Sequence, residues 1–362
     1  SLSITEGTIT GGVYSEKNIR YIVAEPIRIE ISDTITSVVG FSDVINVDHA
    51  NAYQIVKLSG DSTGVTAGDS VLLNARVFDP YGNRVDAQAV SFSVQRGNGG
   101  LAASQQFSNG AGYVSVMFGT GTTAGSNRVR AAILDGSPEG LETQIFEITT
   151  LPVDSIAYVD LSIAGSSFEA GEWFNLGVDV YDKFDNLIVT DDTTRLIPVS
   201  EFPSIDFSPD TLTLNSGHAS FTACDTVMGT NRVAVLSSGG DTLAPFSALL
   251  TIDHAPVYRI VEISGDTTGV ISGTKTELKV RVSDRYENPV DDEITRFTIT
   301  SNLGGSPSLS DGTGAPDDGL VLTGLGGTAI CSLTTDTNAG ENVVSASILD
   351  GDPPGRERVE FS

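Results

Sequence analysis

Aspartate side chains recur along this chain at positions where their oxygens could bind a divalent cation. One set is spaced by 103 and 102 residues: Asp79, Asp182 and Asp284. A second set lies about 30 residues before each of the first: Asp48, Asp154 and Asp253. A third cluster lies near the C-terminus: Asp311, Asp317 and Asp318. Carboxylate and main-chain oxygens are the ligands that calcium prefers. The sequence therefore predicts calcium as the candidate ligand, with Asp79, Asp182, Asp284, Asp48 and Asp253 as candidate metal residues.

The same aspartates have a simpler interpretation as turn residues. Asp79 opens the segment Asp-Pro-Tyr-Gly-Asn, in which Gly and Asn tolerate a positive φ. An aspartate at the start of such a turn accepts hydrogen bonds from the main chain two residues on, without any metal. No Asp-x-Asp-x-Asp-Gly calcium loop occurs in the sequence. Turn capping and calcium binding are both open at this point.

Other chemistry has little support in the sequence. The three histidines, His49, His218 and His254, are too scattered for a His-based metal or nucleophile site. Motifs of serine hydrolases, zinc proteases and phosphate-binding loops are missing from the sequence. The sequence predicts no enzyme and no cofactor apart from calcium. His49 and His254 open equivalent segments, as packing residues of a linker or, alternatively, as a pH-sensitive or metal-binding hinge.

The turn occurs three times in the sequence, and its repetition indicates the number of modules in the chain. Residues 76–85 are echoed by residues 178–188 and 281–290, and residues 48–61 match residues 253–266 at a constant offset of 205. A period of about 100 residues is the size of one small all-β domain. We expect domains at residues 50–151, 152–254 and 255–362. Residues 1–49 are expected to be the C-terminal half of a further module, truncated or completed by another chain.

Within a module, short alternating segments are separated by turn residues. Residues 70–78, 89–94, 112–118, 127–134 and 144–149 read as strands, with Gly-rich breaks between them. The fold class predicted is all-β: tandem immunoglobulin-like β-sandwiches arranged as an elongated rod. In the first 48 residues we expect strands at 18–24 and 41–47. Trp173 is expected in a core, and Cys224 and Cys331 are expected as buried free thiols at equivalent strand positions.

The turn and the strands that follow it resemble the group 1 bacterial immunoglobulin-like domain of invasin- and intimin-type surface proteins. Residues 77–85, 90–92, 110–112 and 129–131 carry the resemblance in one module, and residues 282–290, 297–299, 326–329 and 344–346 in another. Asp185 and Glu287 replace the glycine of the turn in two modules, and Leu187-Ile188 replaces Pro-Val in the middle one. These departures predict a different turn and a related group for the middle module. The resemblance implies an extracellular, surface-projecting stalk or adhesin on a prokaryote, without catalysis.

Charge limits the partners of the chain. With 47 acidic against 20 basic residues the net charge is −27, which repels nucleic acid and anionic lipid. No apolar stretch is long enough to span a membrane, so no membrane insertion is expected within this chain. The partners expected are other copies of the protein, a neighbouring module, or a host or cell-surface receptor.

Two alternatives to a stalk or adhesin remain open. One is a subunit of a surface filament or layer that polymerises by β-strand complementation through the N-terminal half-module. The other is a carbohydrate- or wall-binding accessory module, which would need an aromatic platform for sugar stacking. The chain contains a single tryptophan.

Overall fold

A computed structural model describes residues 7–15, 19–33, 35–134, 141–240, 246–247, 249–301, 303–311, 319–348 and 357–362. Every regular element in these ranges is a β-strand, which confirms the all-β prediction. In the described residues, no helix has the length and hydropathy needed to cross a membrane. The chain divides into two compact units, residues 1–157 with 181–190 and residues 158–180 with 191–362. The domain boundaries near 50, 152 and 255 stay predictions.

The first unit begins with two small two-stranded sheets. They are formed by β1 (Pro26–Ile27), β2 (Glu30–Ser32), β3 (Val39–Phe41) and β4 (Ile45–Asn46), with β1 antiparallel to β4 and β2 antiparallel to β3. The strand expected at 18–24 is wrong, because the described residues 19–24 contain no strand. Instead, main-chain groups of this segment bond to the side chain of Asn83. The strand expected at 41–47 is interrupted between β3 and β4.

A β-sandwich follows in the same unit. Its strands are β5 (Gln54–Ser59), β6 (Ser62–Thr66), β7 (Ser70–Phe78), β8 (Ala89–Arg96), β9 (Gly100–Leu101), β10 (Gln105–Phe107), β11 (Tyr113–Gly119), β12 (Gly125–Ile133) and β13 (Thr143–Leu151). One sheet has the order β10-β8-β12-β13-β6 and the other β5-β7-β11-β9. All pairings are antiparallel except β13 with β6, which is parallel.

Alternation of buried and more exposed residues along the strands places the core between these two sheets. Leu73, Ala75 and Val77 of β7 are fully buried, and the residues between them face outward. Phe118 of β11 and Phe146 of β13 are fully buried members of the same core. The strands predicted from alternation at 70–78, 89–94, 112–118, 127–134 and 144–149 are confirmed to within a few residues at their ends.

The strands that follow form a second sandwich, most of which lies in the second unit. They are β14 (Tyr158–Ile163), β15 (Ser167–Glu169), β16 (Trp173–Tyr181), β17 (Arg195–Ser200), β18 (Ile205–Ser208), β19 (Leu212–Thr213), β20 (His218–Asp225), β21 (Gly229–Asn231), β22 (Val233–Ser237) and β23 (Leu250–Asp253). Their sheets have the orders β14-β16-β20-β18, β15-β23-β21 and β19-β17-β22.

Trp173 is not in the core, and the prediction that placed it there is wrong. Its side chain is 53% exposed, whereas Phe174 beside it is buried and stacks on Phe168 at 4.1 Å between ring centroids. In a strand, neighbouring side chains point to opposite faces. Because Phe174, Leu176 and Val178 define the inner face of β16, Trp173 must lie on the outer one.

The second unit also contains a third sandwich. Its strands are β24 (Val257–Ser264), β25 (Lys275–Asp284), β26 (Ile294–Ser301), β27 (Ser308–Ser310), β28 (Leu320–Leu322), β29 (Thr328–Thr334), β30 (Val343–Ile348) and β31 (Arg358–Phe361). The sheets have the orders β24-β25-β29-β27 and β28-β26-β30-β31. Val280, Val282, Phe297, Val344 and Phe361 are buried in the core between them.

Both cysteines are free and buried, as predicted, but their positions are not equivalent. Cys331 lies opposite Leu278 within the core of the third sandwich. Cys224 lies opposite the exposed Trp173, near the end of β20. The expected equivalence is therefore wrong. The strands pair in the same register, but Leu176, the counterpart of Leu278, pairs with Phe221, so the two cysteines lie three positions apart along equivalent strands.

Candidate functional site: the Asp-Asn turns

The aspartate of the repeated turn is a buried hub of hydrogen bonds. Asp79 is only 3% exposed. Its Oδ1 accepts from the main-chain N–H groups of Tyr81 and Asn83, both at 2.8 Å. Its Oδ2 accepts from the N–H of Ala50 at 2.9 Å and from Asn83 Nδ2 at 2.8 Å. The Asp79 N–H in turn donates to the Asn83 carbonyl at 2.9 Å, which closes the turn.

The same arrangement recurs in the other two turns. Asp182 accepts from the N–H groups of Phe184, Asn186 and Val153, and Asp284 from those of Tyr286, Asn288 and Ala255. The donor that precedes the turn is 29 residues before the aspartate in every case. We refer to residues 79–83, 182–186 and 284–288 as the Asn turns. Each fixes the segment that leads into its sandwich to the end of a central strand.

The different turn expected in the middle module is wrong. Asp185 has φ of +64° and Glu287 has φ of +74°, in the left-handed region that Gly82 occupies at +84°. The backbone conformation is therefore kept although the glycine is lost. The hydrogen bonds to the buried aspartate outweigh the cost of placing a Cβ in this region, which is on the order of 1–2 kcal/mol.

The hydrogen bonds also set the charge state of the aspartates. Burial alone would raise the pKa of Asp79, but donation from the Asn83 side chain and from the N–H groups of Ala50, Asn83 and Tyr81 outweighs it and lowers the pKa. The pKa of Asp182 is lowered by the same balance of burial against donation. These carboxylates are therefore ionised at neutral pH.

The asparagine at the end of each turn binds a loop that lies some 60 residues earlier in the chain. Asn186 Nδ2 donates to the Thr122 carbonyl at 2.8 Å, and its Oδ1 accepts from the N–H of Ala124 at 2.7 Å. All of these residues belong to the first unit. The NH2 group of a primary amide donates to one main-chain carbonyl, and its oxygen accepts from a main-chain N–H two residues further on. These two bonds also fix the orientation of the amide.

The other two Asn turns bind in the same way. Asn83 bonds to the Ile22 carbonyl at 2.8 Å and to the Ala24 N–H at 2.9 Å. Asn288 bonds to the Thr226 carbonyl and to the Met228 N–H, both at 2.9 Å. We refer to residues 22–24, 122–124 and 226–228 as the receiving loops. Each turn and its receiving loop lie within one unit, in the first for Asn83 and in the second for Asn288.

An aromatic residue of the turn adds an apolar contact to two of these joints. A Cβ placed on Gly68 would lie 3.6 Å from the ring of Phe184, and one placed on Gly171 would collide with the ring of Tyr286. Both glycines have a positive φ, of +90° and +84°. Each therefore serves as a flat seat on which the ring of the following Asn turn packs.

The seat and the receiving loop are tied together by a main-chain hydrogen bond. The N–H of Gly68 donates to the Gly121 carbonyl at 2.7 Å, and the N–H of Gly171 donates to the Asp225 carbonyl at 2.8 Å. The acceptor is, in both cases, the residue just before the receiving loop. Amide recognition and ring packing therefore form one joint. In the first turn, Tyr81 instead contacts Arg20, whose Nη2 donates to the tyrosine hydroxyl at 2.7 Å.

The calcium candidates are only partly brought together. Asp79 bonds to Ala50, two residues after Asp48, and Asp284 bonds to Ala255, two residues after Asp253. Asp48 and Asp253 are exposed, and each accepts the N–H of the histidine that follows it. The described residues contain no group of three or more His, Cys, Asp or Glu side chains suited to a metal ion. Asp317 and Asp318 lie outside the described residues, and calcium binding stays a prediction.

The two histidines at the equivalent segments make similar contacts. His49 Nδ1 bonds to the Ala50 carbonyl at 2.8 Å, and its Nε2 lies 2.7 Å from Asp86 Oδ1. His254 Nδ1 bonds to the Ala255 carbonyl at 3.0 Å. Burial lowers the pKa of His49, but the Ala50 carbonyl and the carboxylates of Asp86 and Asp48 together raise it above its ordinary value. These contacts fit the packing interpretation.

The turn was predicted from the sequence, but the receiving loops were not. An aspartate followed four residues later by an asparagine is visible as a motif. The groups that the asparagine binds are main-chain groups, which any residue supplies. One sequence signal for two of the receiving loops is the glycine that directly follows each of them, Gly125 and Gly229. Both glycines have a positive φ in the structure.

Antiparallel β-sandwiches of about 100 residues are the architecture of immunoglobulin-like domains. A solved structure of FdeC, an adhesin of Escherichia coli, is similar, with a TM-score of 0.53 at 19% identity over 85% of this chain and 96% of that chain. InvD of Yersinia pseudotuberculosis gives a TM-score of 0.44 at 19% identity, over 83% of this chain and 85% of that one. The resemblance to bacterial immunoglobulin-like domains of the invasin and intimin type is confirmed as a likeness of fold.

A relative is also found by sequence. The inverse autotransporter adhesin YeeJ of Escherichia coli K12 is 24% identical over 334 residues, which is 90% of this chain but 14% of that protein. The chain thus spans about one seventh of the length of the curated relative it matches. No protein-family model matches the chain.

Proposed function

We propose that this chain is a non-catalytic segment of a prokaryotic cell-surface protein, namely part of the stalk of an adhesin. The observation that carries the proposal is the recurrence of one joint, in which a buried Asp–Asn pair binds the main chain of the receiving loop. A stalk requires repeated ties between one part of the chain and the next, and the recurrence of this joint supports that role. The similar proteins FdeC and YeeJ are described as adhesins, and this supports an extracellular location.

Binding of a receptor is part of the same proposal, but we assign it to no particular residue of this chain. The buried turns are occupied by their own hydrogen bonds, so they do not offer a receptor site. The net charge of −27 opposes contact with nucleic acid and anionic membranes. Binding of a host or cell-surface receptor therefore belongs to the whole protein, of which this chain supplies the spacing.

Small-angle X-ray scattering tests the stalk. Three modules of about 40 Å each, with the N-terminal segment, give a rod on the order of 130 Å and a radius of gyration of about 38 Å. A compact globule of this length would have about 21 Å. We expect the larger value for the full chain. The smaller value would contradict the proposal.

A double variant, Asn186→Ala with Asn288→Ala, tests whether the joints set the stiffness. Each substitution removes an amide and leaves a carbonyl and an N–H of a receiving loop without that partner, at a cost of about 1–3 kcal/mol. We expect scattering of a flexible chain with folded modules. The exposed Asn51→Ala serves as the control and should scatter as the unmodified chain does. Unchanged stiffness in the double variant would show that the joints do not hold the modules.

Polymerisation through the N-terminal segment is the second candidate, and one observation favours it. Ile31, Ile35 and Phe41, on or next to the β2–β3 hairpin, are 63%, 91% and 63% exposed. Strands supplied by another chain would cover such side chains by β-augmentation. In that case the full chain sediments as oligomers, and deletion of residues 1–46 returns it to a monomer. A full chain that sediments as a monomer over a wide concentration range would exclude this candidate.

A further inference from the structure

The third sandwich contains the parts of a receiving loop and its seat. Gly273 corresponds to Gly68 and Gly171 and has φ of +79°. Its N–H donates to the Asp336 carbonyl at 3.2 Å, as the N–H of Gly171 does to the Asp225 carbonyl. Gly340, with φ of +150°, corresponds to Gly229, with +146°. Residues 337–339 therefore occupy the place that residues 226–228 have in the second sandwich.

Side chains shape the two loops in the same way. Asp225 Oδ1 accepts the N–H of Val227 at 3.0 Å, and Asp336 Oδ1 accepts the N–H of Asn338 at 2.9 Å. Asp336 is 1% exposed and also binds the N–H groups of Leu303 and Gly305, both at 3.0 Å. The conformation of residues 337–339 is thus built into the third sandwich and does not depend on a bound turn.

The difference is that this loop and seat are open. Residues 337–340 are all exposed. No described atom lies within 4 Å of a Cβ placed on Gly273, whereas Tyr286 lies against Gly171 and Phe184 against Gly68. Asp336, Asn338 and Ala339 line an open cavity of about 470 Å³ at this end of the sandwich. The seat at Gly273 is therefore not covered by any described residue, and the loop beside it is exposed.

We propose that Gly273 and residues 337–339 are a docking site for an immunoglobulin-like module that carries an Asn turn. The asparagine of that turn donates to the Thr337 carbonyl and accepts from the Ala339 N–H, and its aromatic residue packs on Gly273. The occupant is a module of the same type because three such turns in this chain bind the same arrangement of main-chain groups. This inference rests on the joints themselves and not on the adhesin assignment, so it can hold even if that assignment fails.

The hydrogen bonds of β31 show where a further module can be fused to the chain so that its Asn turn reaches this site. The N–H of Ser362 donates to Asp266 Oδ1 at 2.9 Å, just as the N–H of Glu147 donates to Asp61 Oδ1 at 2.9 Å. Ser362 therefore corresponds to Glu147. Fusing a second copy of residues 148–254 directly after Ser362 presents a fourth Asn turn, residues 182–186 of the appended copy, at the natural distance.

Hydrogen–deuterium exchange followed by mass spectrometry measures the exchange rate of amides in peptides that cover residues 337–340. These residues occur once in the fusion. We expect the Ala339 amide to exchange at least about tenfold more slowly in the fusion than in the parent chain, the effect of one hydrogen bond. Asn186→Ala in the appended copy alone should return the rate to that of the parent. Peptides from the duplicated β16 that exchange as a single population verify that the appended copy is folded.

An unchanged rate at residues 337–340 in a folded fusion would overturn the proposal. So would protection that survives the Asn186→Ala change, since it would not depend on the amide. A second fusion guards against misfolding of the first. It appends residues 250–362, which bring the Asn turn of residues 284–288 and a second copy of residues 337–340. Docking should therefore give two equal populations at these peptides, one slow and one at the parent rate, and Asn288→Ala in the appended copy is its control. Slowed exchange that requires the asparagine in either folded fusion supports the site.

Discussion

Asn83, Asn186 and Asn288 each hold two partners at once. One face of the amide binds the buried aspartate of its own turn, and the remaining donor and acceptor bind a receiving loop. Asp79 and Asp182, whose pKa values are lowered, are ionised, and bonds to an ionised acceptor are stronger than neutral ones. The carboxylate therefore fixes the amide in the orientation that the loop requires. Removing the charge should weaken the turn and the joint together.

Acid should destabilise the protein through these carboxylates. Because the pKa of Asp79 and of Asp182 is lowered in the folded chain, their contribution is fully present above the unfolded pKa of about 3.9 and is lost as the pH falls through the folded pKa. We expect the urea midpoint to be steady from about pH 5 to pH 7 and to fall below about pH 4. Asp182→Asn should lower the midpoint at neutral pH and reduce the further fall in acid.

Urea unfolding followed by circular dichroism at each pH measures both effects. Asp160→Asn removes one negative charge at an exposed position and controls for net charge. If Asp182→Asn and Asp160→Asn gave the same midpoints across the pH range, the carboxylate of the turn would have no special role.

At the scale of the element, the Asn turn keeps one backbone conformation with three different residues at its left-handed position. Gly82 fits it without strain, whereas Asp185 and Glu287 do not. The missing glycine and the Leu187-Ile188 pair suggested a change of turn in the middle module. The conformation is instead set by the buried aspartate and the N–H groups that donate to it. A local propensity of about 1 kcal/mol is thus overruled by several hydrogen bonds.

Asp185→Gly should stabilise the protein slightly. It removes the Cβ from a residue with φ of +64°, and the relief exceeds the added entropy of the unfolded chain by about 0.5 kcal/mol. Asp185→Ala keeps the Cβ and is the matched control, for which no gain is expected. Chemical denaturation compares the free energies of unfolding. A gain from alanine equal to that from glycine would mean that the strain is not the cause.

The glycine seats give a second prediction for the element. Gly171 and Gly326 share φ of +84°, but a Cβ on Gly171 meets the Tyr286 ring and a Cβ on Gly326 meets no described atom within 4 Å. Both alanine variants carry the strain of a positive φ. Gly171→Ala should cost about 1–3 kcal/mol more, because the ring must move off its seat. Urea denaturation measures the difference, and faster exchange of the Met228 amide should accompany it. Equal losses would count against the seat.

At the scale of the whole molecule, the correct predictions from the sequence rest on its repeated patterns. The alternation of apolar residues, the period of about 100 and the turn were sufficient to predict tandem sandwiches. Trp173 was misplaced because alternation sets two opposite faces, and the choice between them depends on the packing of Phe174 against Phe168. The joints were missed because they connect a side chain to main-chain groups some 60 residues away, and main-chain groups leave no trace in residue identity.

Calcium, predicted for the aspartates at these joints, is tested on the whole chain. An ion that binds only the folded protein raises stability by about 2.7 kcal/mol at one hundred times its dissociation constant. Thermal melting is compared in calcium and in a chelator. A higher transition temperature in calcium, lost in the Asp48→Asn and Asp253→Asn double variant and kept in Asp43→Asn with Asp160→Asn, would establish the site. Identical transitions in both solutions would rule it out.

The receiving loops have a consequence for how such a chain can change over generations. The residues whose carbonyls accept the asparagine are Ile22, Thr122 and Thr226, and those whose N–H groups donate to it are Ala24, Ala124 and Met228. Since their side chains take no part in these bonds, a duplicated or exchanged module meets a compatible neighbour without any compensating substitution. Recombination between repeats can therefore lengthen or shorten the protein while every junction keeps the same bonds.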